Sequence, residues 1–120
     1  MANQVVWVDI PCVDLDRAIA FYSAILGQKV SKDSFPGTEI GVLPHEGQDV
    51  GGCLIVDPKV QPSEHGPLLY FNCAGRLDAA VQAAIQHGGR VVIPAHPIGP
   101  HGFKAVVIDS EGNRIALHSM

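Results

Sequence analysis

Apolar and polar positions along the chain follow two rhythms. In "DLDRAIAFYSAILG" the apolar residues Leu15, Ala18, Ile19, Tyr22, Ile25 and Leu26 recur at the spacing of one helix face. Asp14 stands where an N-cap accepts a backbone N–H, and Gly27 where a helix ends in the left-handed conformation. "RLDAAVQAAIQHGG" repeats the pattern with Leu77, Ala80, Val81, Ala84 and Ile85 and stops at Gly88 or Gly89, although Arg76 occupies the cap position. The spacing predicts helices over 15–26 and 77–87. The remaining apolar runs are short and read as strands: "QVVWVDI" before the first helix, then "QKVSK", "TEIGVL" and "GGCLIV". "PLLYFNC" precedes the second helix, and "RVVIPAH", "FKAVVID" and "NRIALH" follow it.

The order strand–helix–strand–strand–strand therefore occurs twice. Sliding the sequence on itself by 62 places Leu15 on Leu77, Asp16 on Asp78, Ala18 on Ala80, Ile19 on Val81 and Gly27 on Gly89 without a gap. Such a match in the same order of elements indicates an internal duplication. "DPKVQPSEHGP" has the Pro, Ser and Gly content of a connector. The expected organisation is one α+β domain: module 1 over 1–57, a linker over 58–66 and module 2 over 67–120. Each half, at about 60 residues, is small for a core of its own. One helix is expected to cover one side of each curved mixed sheet, leaving the other sides to form a concave cup, closed either within the chain or with a second copy. Strand alternation puts Val6, Val8 and Ile10 beneath the first helix and Trp7 and Asp9 on the cup side. Ile115 and Leu117 go beneath the second helix, with Arg114, Ala116 and His118 on the cup side. The 62-residue shift adds Leu69 (matched to Trp7) and Leu54 (matched to Ala116) to the cup and puts Cys53 beneath a helix.

Charge narrows the partners. A net charge of −4 with eight scattered Lys and Arg argues against nucleic acid and anionic membrane. No apolar run approaches the roughly 20 residues of a membrane span, and "MANQVVWVDIP" lacks the basic start and apolar stretch of a secretion signal. Three cysteines, none in a C-x-x-C pair, suit a reducing cytoplasm and read as small apolar filler. No H-x-x-x-H or H-E-x-x-H spacing occurs, and "HEGQDVGG" reads as a hairpin turn rather than a phosphate loop.

"VDIPCVDLDRAIAFYSAILG", a strand followed by D-x-x-x-A-x-x-F-Y and a glycine-ended helix, resembles the opening of vicinal oxygen chelate proteins. "DSEGNRIALHS" resembles their closing D-x-x-G-N strand. That superfamily includes glyoxalase I, extradiol dioxygenases, fosfomycin-resistance enzymes and bleomycin-binding proteins, and the resemblance spans the chain. It implies two βαβββ modules around a cup, and in metal-using members a His, Gln or Glu ligand from the first and last strand of each module. Position by position, those ligands fall at Trp7, Leu54, Leu69 and Ala116. None has an oxygen or imidazole donor suited to a divalent cation. The expectation is thus a glyoxalase-like module that binds a small organic molecule without metal or other cofactor. The cup residues are Trp7, Asp9, Leu54, Leu69, Phe71, Phe103, Arg114, Ala116 and His118, and no catalytic residue is assigned. Trp7 reads either as filler or as a platform for a flat ligand; Arg114 could meet an acidic ligand, Asp9 or solvent. The alternative is a metal-dependent lyase or dioxygenase with displaced ligands such as His118 and His101. A third reading fills the concavity with a partner chain. The resemblance also implies a homodimer, because family members commonly dimerise.

Overall fold

The computed structural model describes residues 3–35 and 37–120. Met1 and Ala2, which open the segment read for a secretion signal, and Pro36 lie outside the described residues. The first half forms β1 (Trp7–Pro11), α1 (Leu15–Leu26), β2 (Ser31–Phe35), β3 (Thr38–Val42) and β4 (Gly51–Ile55). The second forms β5 (Tyr70–Asn72), α2 (Leu77–Gln86), β6 (Arg90–Pro97), a 3₁₀ turn over Gly99–His101, β7 (Phe103–Ile108) and β8 (Arg114–Ser119). The architecture is α+β: two four-stranded mixed sheets, ordered β1-β4-β3-β2 and β5-β8-β7-β6, with no closed barrel. In each, the strand before the helix pairs parallel with the last strand, and the other pairs are antiparallel.

Local chemistry sets the boundaries. Asp14 is extended (φ −121°) and accepts the Arg17 N–H at 3.1 Å, and Gly27 closes α1 at φ 65°. The run "QKVSK" starts its strand late because Val30 turns into the core at 1 % exposure, with its N–H on the Ser23 hydroxyl at 3.0 Å. α2 has no side-chain cap, because Arg76 at its N-cap has no acceptor for the first-turn N–H groups. Its guanidinium donates to the carbonyls of Ile25 and Ala24 at 2.5 and 3.5 Å, placing a cation at the C-terminus of α1.

One core serves both halves. Ala18, Phe21, Tyr22 and Ile25 of α1 join a single buried cluster with Ile10 and Leu54 of the first sheet and Cys73, Ala80, Ala84, Val107, Ile115 and Leu117 of the second half. The β7–β8 turn clamps the halves together. One oxygen of the buried Asp109 carboxylate accepts the N–H groups of Glu111, Gly112 and Asn113 at 2.8–2.9 Å. The other takes the Tyr22 hydroxyl at 2.5 Å and the Asn113 amide at 3.0 Å. That amide also donates to the Pro11 carbonyl at 2.8 Å. Glu111 accepts the backbone N–H groups of Val13 and Asp14, both at 2.8 Å, and Arg17 Nε at 2.7 Å. The D-x-x-G-N motif is thus a clasp between module 2 and the start of α1.

Two strands face opposite to the expectation. Asp9 lies across from Cys53 and Ile10 from Leu54, so Cys53 shares the open face with Asp9 while Leu54 enters the core at 0 % exposure. In β5, Phe71 stacks against Tyr22 (centroids 5.4 Å apart) and Leu69 also packs on the core. Tyr70 and Asn72 take the open face, across from Ala116 and His118. The reason is parity. Trp7 pairs with Gly51 and Tyr70 with Ala116, so matched rows lie 63 (70 − 7) and 65 (116 − 51) residues apart, both odd, where the helices match at 62. An odd offset reverses every side chain of a strand. Three residues separate β1 from α1, and four separate β5 from α2. Phe103 is also corrected: it lies across from Ser119 and lines a crevice of about 500 Å³ beside the start of α2, away from the open face.

Candidate functional site

The open face of module 1 is built around Trp7. Its indole lies over Gly51, where an added Cβ would stand 2.9 Å from the ring, so the glycine makes the seat. The indole N–H donates to the Asp9 carboxylate at 2.9 Å, and the same oxygen receives the Cys53 thiol at 3.4 Å. Burial, reinforced by the Asp9 hydrogen bond and charge, pushes the Cys53 thiol up to about 11. It therefore stays protonated at neutral pH and is no nucleophile. Trp7 remains 45 % exposed, so it is not core filler.

The open face of module 2 centres on Ala116 and Val106, cross-strand partners that are almost fully buried. Tyr70 lies on one side of Ala116. The next row carries His96, Lys104, His118 and Asn72 in order across β6, β7, β8 and β5. Lys104 Nζ donates to the Tyr70 hydroxyl at 2.8 Å. It stands 5.1 Å from the ring centroid, so it meets the phenol at its oxygen rather than over its face. His118 Nε2 donates to the backbone carbonyl of His101 at 2.7 Å, so it meets that loop through main chain and not imidazole. Arg114 turns its Nε to the Glu64 carbonyl at 3.1 Å, and Asp9 is occupied by Trp7 and Cys53 rather than by Arg114.

A cleft of about 580 Å³ opens between the modules. Val5, Val8 and Ile10 form one wall and Leu69, Tyr70 and Phe71 the other, with Asn72 and Gly51 also on its lining. Asn72 thus belongs both to the cleft and to the polar row, and Tyr70 lines the cleft while its hydroxyl meets Lys104 of that row. Of the residues expected in one cup, Trp7 and Asp9 meet on one face, and Arg114, Ala116 and His118 on the other. Leu69 and Phe71 line the cleft from its core side. Leu54 and Phe103 are at neither place. Sequence reasoning missed Gly51, Cys53, Tyr70, Asn72 and Lys104. The longer loop before α2 was the signal for Tyr70 and Asn72. Lys104, alone charged in an otherwise apolar strand, was the signal for the polar row.

The family model for the Glyoxalase/Bleomycin resistance protein/Dioxygenase superfamily matches residues 4–117. The chain belongs to this superfamily. A "Glyoxylase-like domain-containing protein" of Didymella fabae is 25 % identical over 119 residues, covering 96 % of this chain and 92 % of the relative. A glyoxalase/bleomycin resistance protein from Albidiferax ferrireducens T118 superposes with TM-score 0.78 at 19 % identity, over 98 % of this chain and 99 % of that one. A glyoxalase I variant from Zea mays matches with TM-score 0.71 and 19 % identity, over 95 % of this chain and 45 % of the maize chain. At these identities the solved structures speak for the fold alone.

The metal of the metal-using members does not fit this superfamily chain. The open-face rows that contain Trp7 and Ala116 are completed by Gly51 and Tyr70, not by Leu54 and Leu69. Trp7, Gly51 and Ala116 offer no side-chain donor for a divalent cation, and the Tyr70 hydroxyl is bound by an ammonium. Among the described residues, no three His, Cys, Asp or Glu side chains are placed to hold an ion.

Proposed function

We propose that this superfamily member binds a small organic molecule without a divalent metal, in the cleft between its modules and against the adjoining open faces. The cleft carries the reading: about 580 Å³ lined mostly by apolar residues, with Gln28, Asp49, Tyr70 and Asn72 as its polar groups, is the form of a small-molecule site. Trp7, seated against Gly51 on the adjoining open face, supplies a stacking surface there. No catalytic role is assigned.

The same reading includes a homodimer. Val5, Val6, Trp7, Val50 and Tyr70 are between 44 and 70 % exposed, and a second copy laid on these faces would cover them and close the site. A cytoplasmic setting fits three buried free thiols. Among the described residues, no helix is long and apolar enough to cross a membrane.

The test is native mass spectrometry of protein purified without chelator, joined to elemental analysis and a screen by Trp7 emission. Hits are repeated on Trp7→Leu and Phe71→Ala by calorimetry. The expected result is weaker binding to both variants with no stoichiometric metal. Unchanged affinity in both, or one tightly held equivalent of Ni, Zn, Fe or Mn, would sink the proposal.

A further inference from the structure

Lys104 has a half-buried side chain and, among the described residues, makes no ion pair. Its polar partner is the neutral hydroxyl of Tyr70. A half-buried cation whose polar partner is neutral keeps its charge available to an incoming anion. Its neighbours are arranged the same way. The Tyr70 oxygen accepts from Lys104, so its own proton is free to be donated outward. The Asn72 carbonyl oxygen is taken by the Ala74 N–H at 2.9 Å, which turns the amide N–H₂ away from the backbone. His118 and His96 each spend one ring nitrogen on a backbone carbonyl, those of His101 and Pro94. On the other module, the Asp9 carboxylate is engaged by Trp7 and Cys53, and that of Asp49, on the cleft lining, accepts the Glu46 N–H at 3.2 Å.

We propose that the ligand is an organic oxyanion, a carboxylate or phosphate ester, whose charged end is received by Lys104, Tyr70 and Asn72 while its apolar body occupies the cleft. This rests on the binding reading above and specifies its chemistry. Asn72 belongs to both the cleft and the polar row, and Tyr70 lines the cleft while its hydroxyl holds Lys104, so one short ligand reaches both. Arg114, for which an acidic ligand is one of three readings of the sequence, instead turns its Nε to the linker carbonyl of Glu64. Charge-assisted hydrogen bonds to an oxyanion are the stronger kind, which makes Lys104 the discriminating residue between anionic and neutral ligands of equal shape.

Calorimetry with benzoate and phenyl phosphate, against neutral benzamide, tests this on the full chain. Lys104→Gln should weaken both anions roughly tenfold or more, the loss of one charge-assisted contact, and leave benzamide within about twofold. Lys104→Arg should keep most of the affinity, and Arg90→Gln, which removes an exposed cation paired with Glu64, should change nothing. Equal weakening of neutral and anionic probes by Lys104→Gln overturns the proposal. So does failure of the wild type to bind either anion at millimolar concentration; if benzamide still binds, the cleft reading survives. A Lys104→Gln protein that changes its sedimentation but not its anion affinity also overturns it, because the counter-charge would then come from a second copy.

Discussion

Glu111 should be worth more to stability than its place in a surface turn suggests. Its side chain is fully shielded while the paired Arg17 is about half exposed (51 %). Burial alone would raise its pKa. The Arg17 hydrogen bond, the Asp14 and Val13 N–H groups and the Ser110 hydroxyl together outweigh that and lower it from 4.5 to about 2. A carboxylate so displaced favours the folded state by at most about 3.5 kcal/mol, at about 1.4 kcal/mol per pKa step, and screening at the exposed Arg17 trims this to about 2 kcal/mol. Because the folded pKa is depressed, the contribution is complete above about 4.5 and disappears as pH falls toward about 2. In Glu111→Gln one amide N–H₂ must face a donor, either Arg17 Nε or the backbone pair. The variant should lose about 2 kcal/mol at pH 7, or roughly 6–12 °C in Tm for a chain of this size. Urea unfolding followed by far-UV circular dichroism at fixed protein concentration measures it. Between pH 5 and pH 2.5 the gap between wild type and variant should close. A cost below about 0.5 kcal/mol, or a gap that persists at low pH, would refute the clasp.

Leu54→Ala should cost about 2–4 kcal/mol by opening a cavity in the shared core, whereas Trp7→Leu should cost under about 1 kcal/mol; the reverse ranking in urea would restore Leu54 to the open face. The thiols of Cys12 and Cys53, both raised to about 11 chiefly by burial, should react with a disulfide reagent at pH 7.5 only as fast as the protein opens. Rapid stoichiometric labelling of the native protein would contradict this.

Helices and strand order were legible because their signals are local. Asp14, Gly27 and the apolar stripe of α1 act over a few residues, and the structure places the helix at Leu15–Leu26. Facing depends on a count carried across loops. The single extra residue between Asn72 and Leu77 reversed β5, and "GGCLIV" has no polar residue by which its alternation could be read. Leu54, Leu69 and Phe71 therefore exchanged places with Cys53, Tyr70 and Asn72. Gly51 and Tyr70, which stand in the open-face rows in place of Leu54 and Leu69, are no better suited to a cation. Lys104 signalled a polar position, but its partners in the row were out of reach, since they come from three other strands and meet it only when the register is fixed.

Helix α1 leans one flank on its own sheet, where Ile19 sits against Gly41, and the other on the second half, where Phe21 meets Gly89 and Tyr22 meets Asp109. Chain connectivity is then nearly redundant. Cleavage within 58–66 would sever the backbone without dividing the interior, so the nicked protein should elute as one particle. Neither fragment would hold its shape alone, since each would expose the side that the other now covers. Mixed after denaturation, the two pieces should complement one another and melt in a single transition, behaving as one cooperative unit written in two instalments.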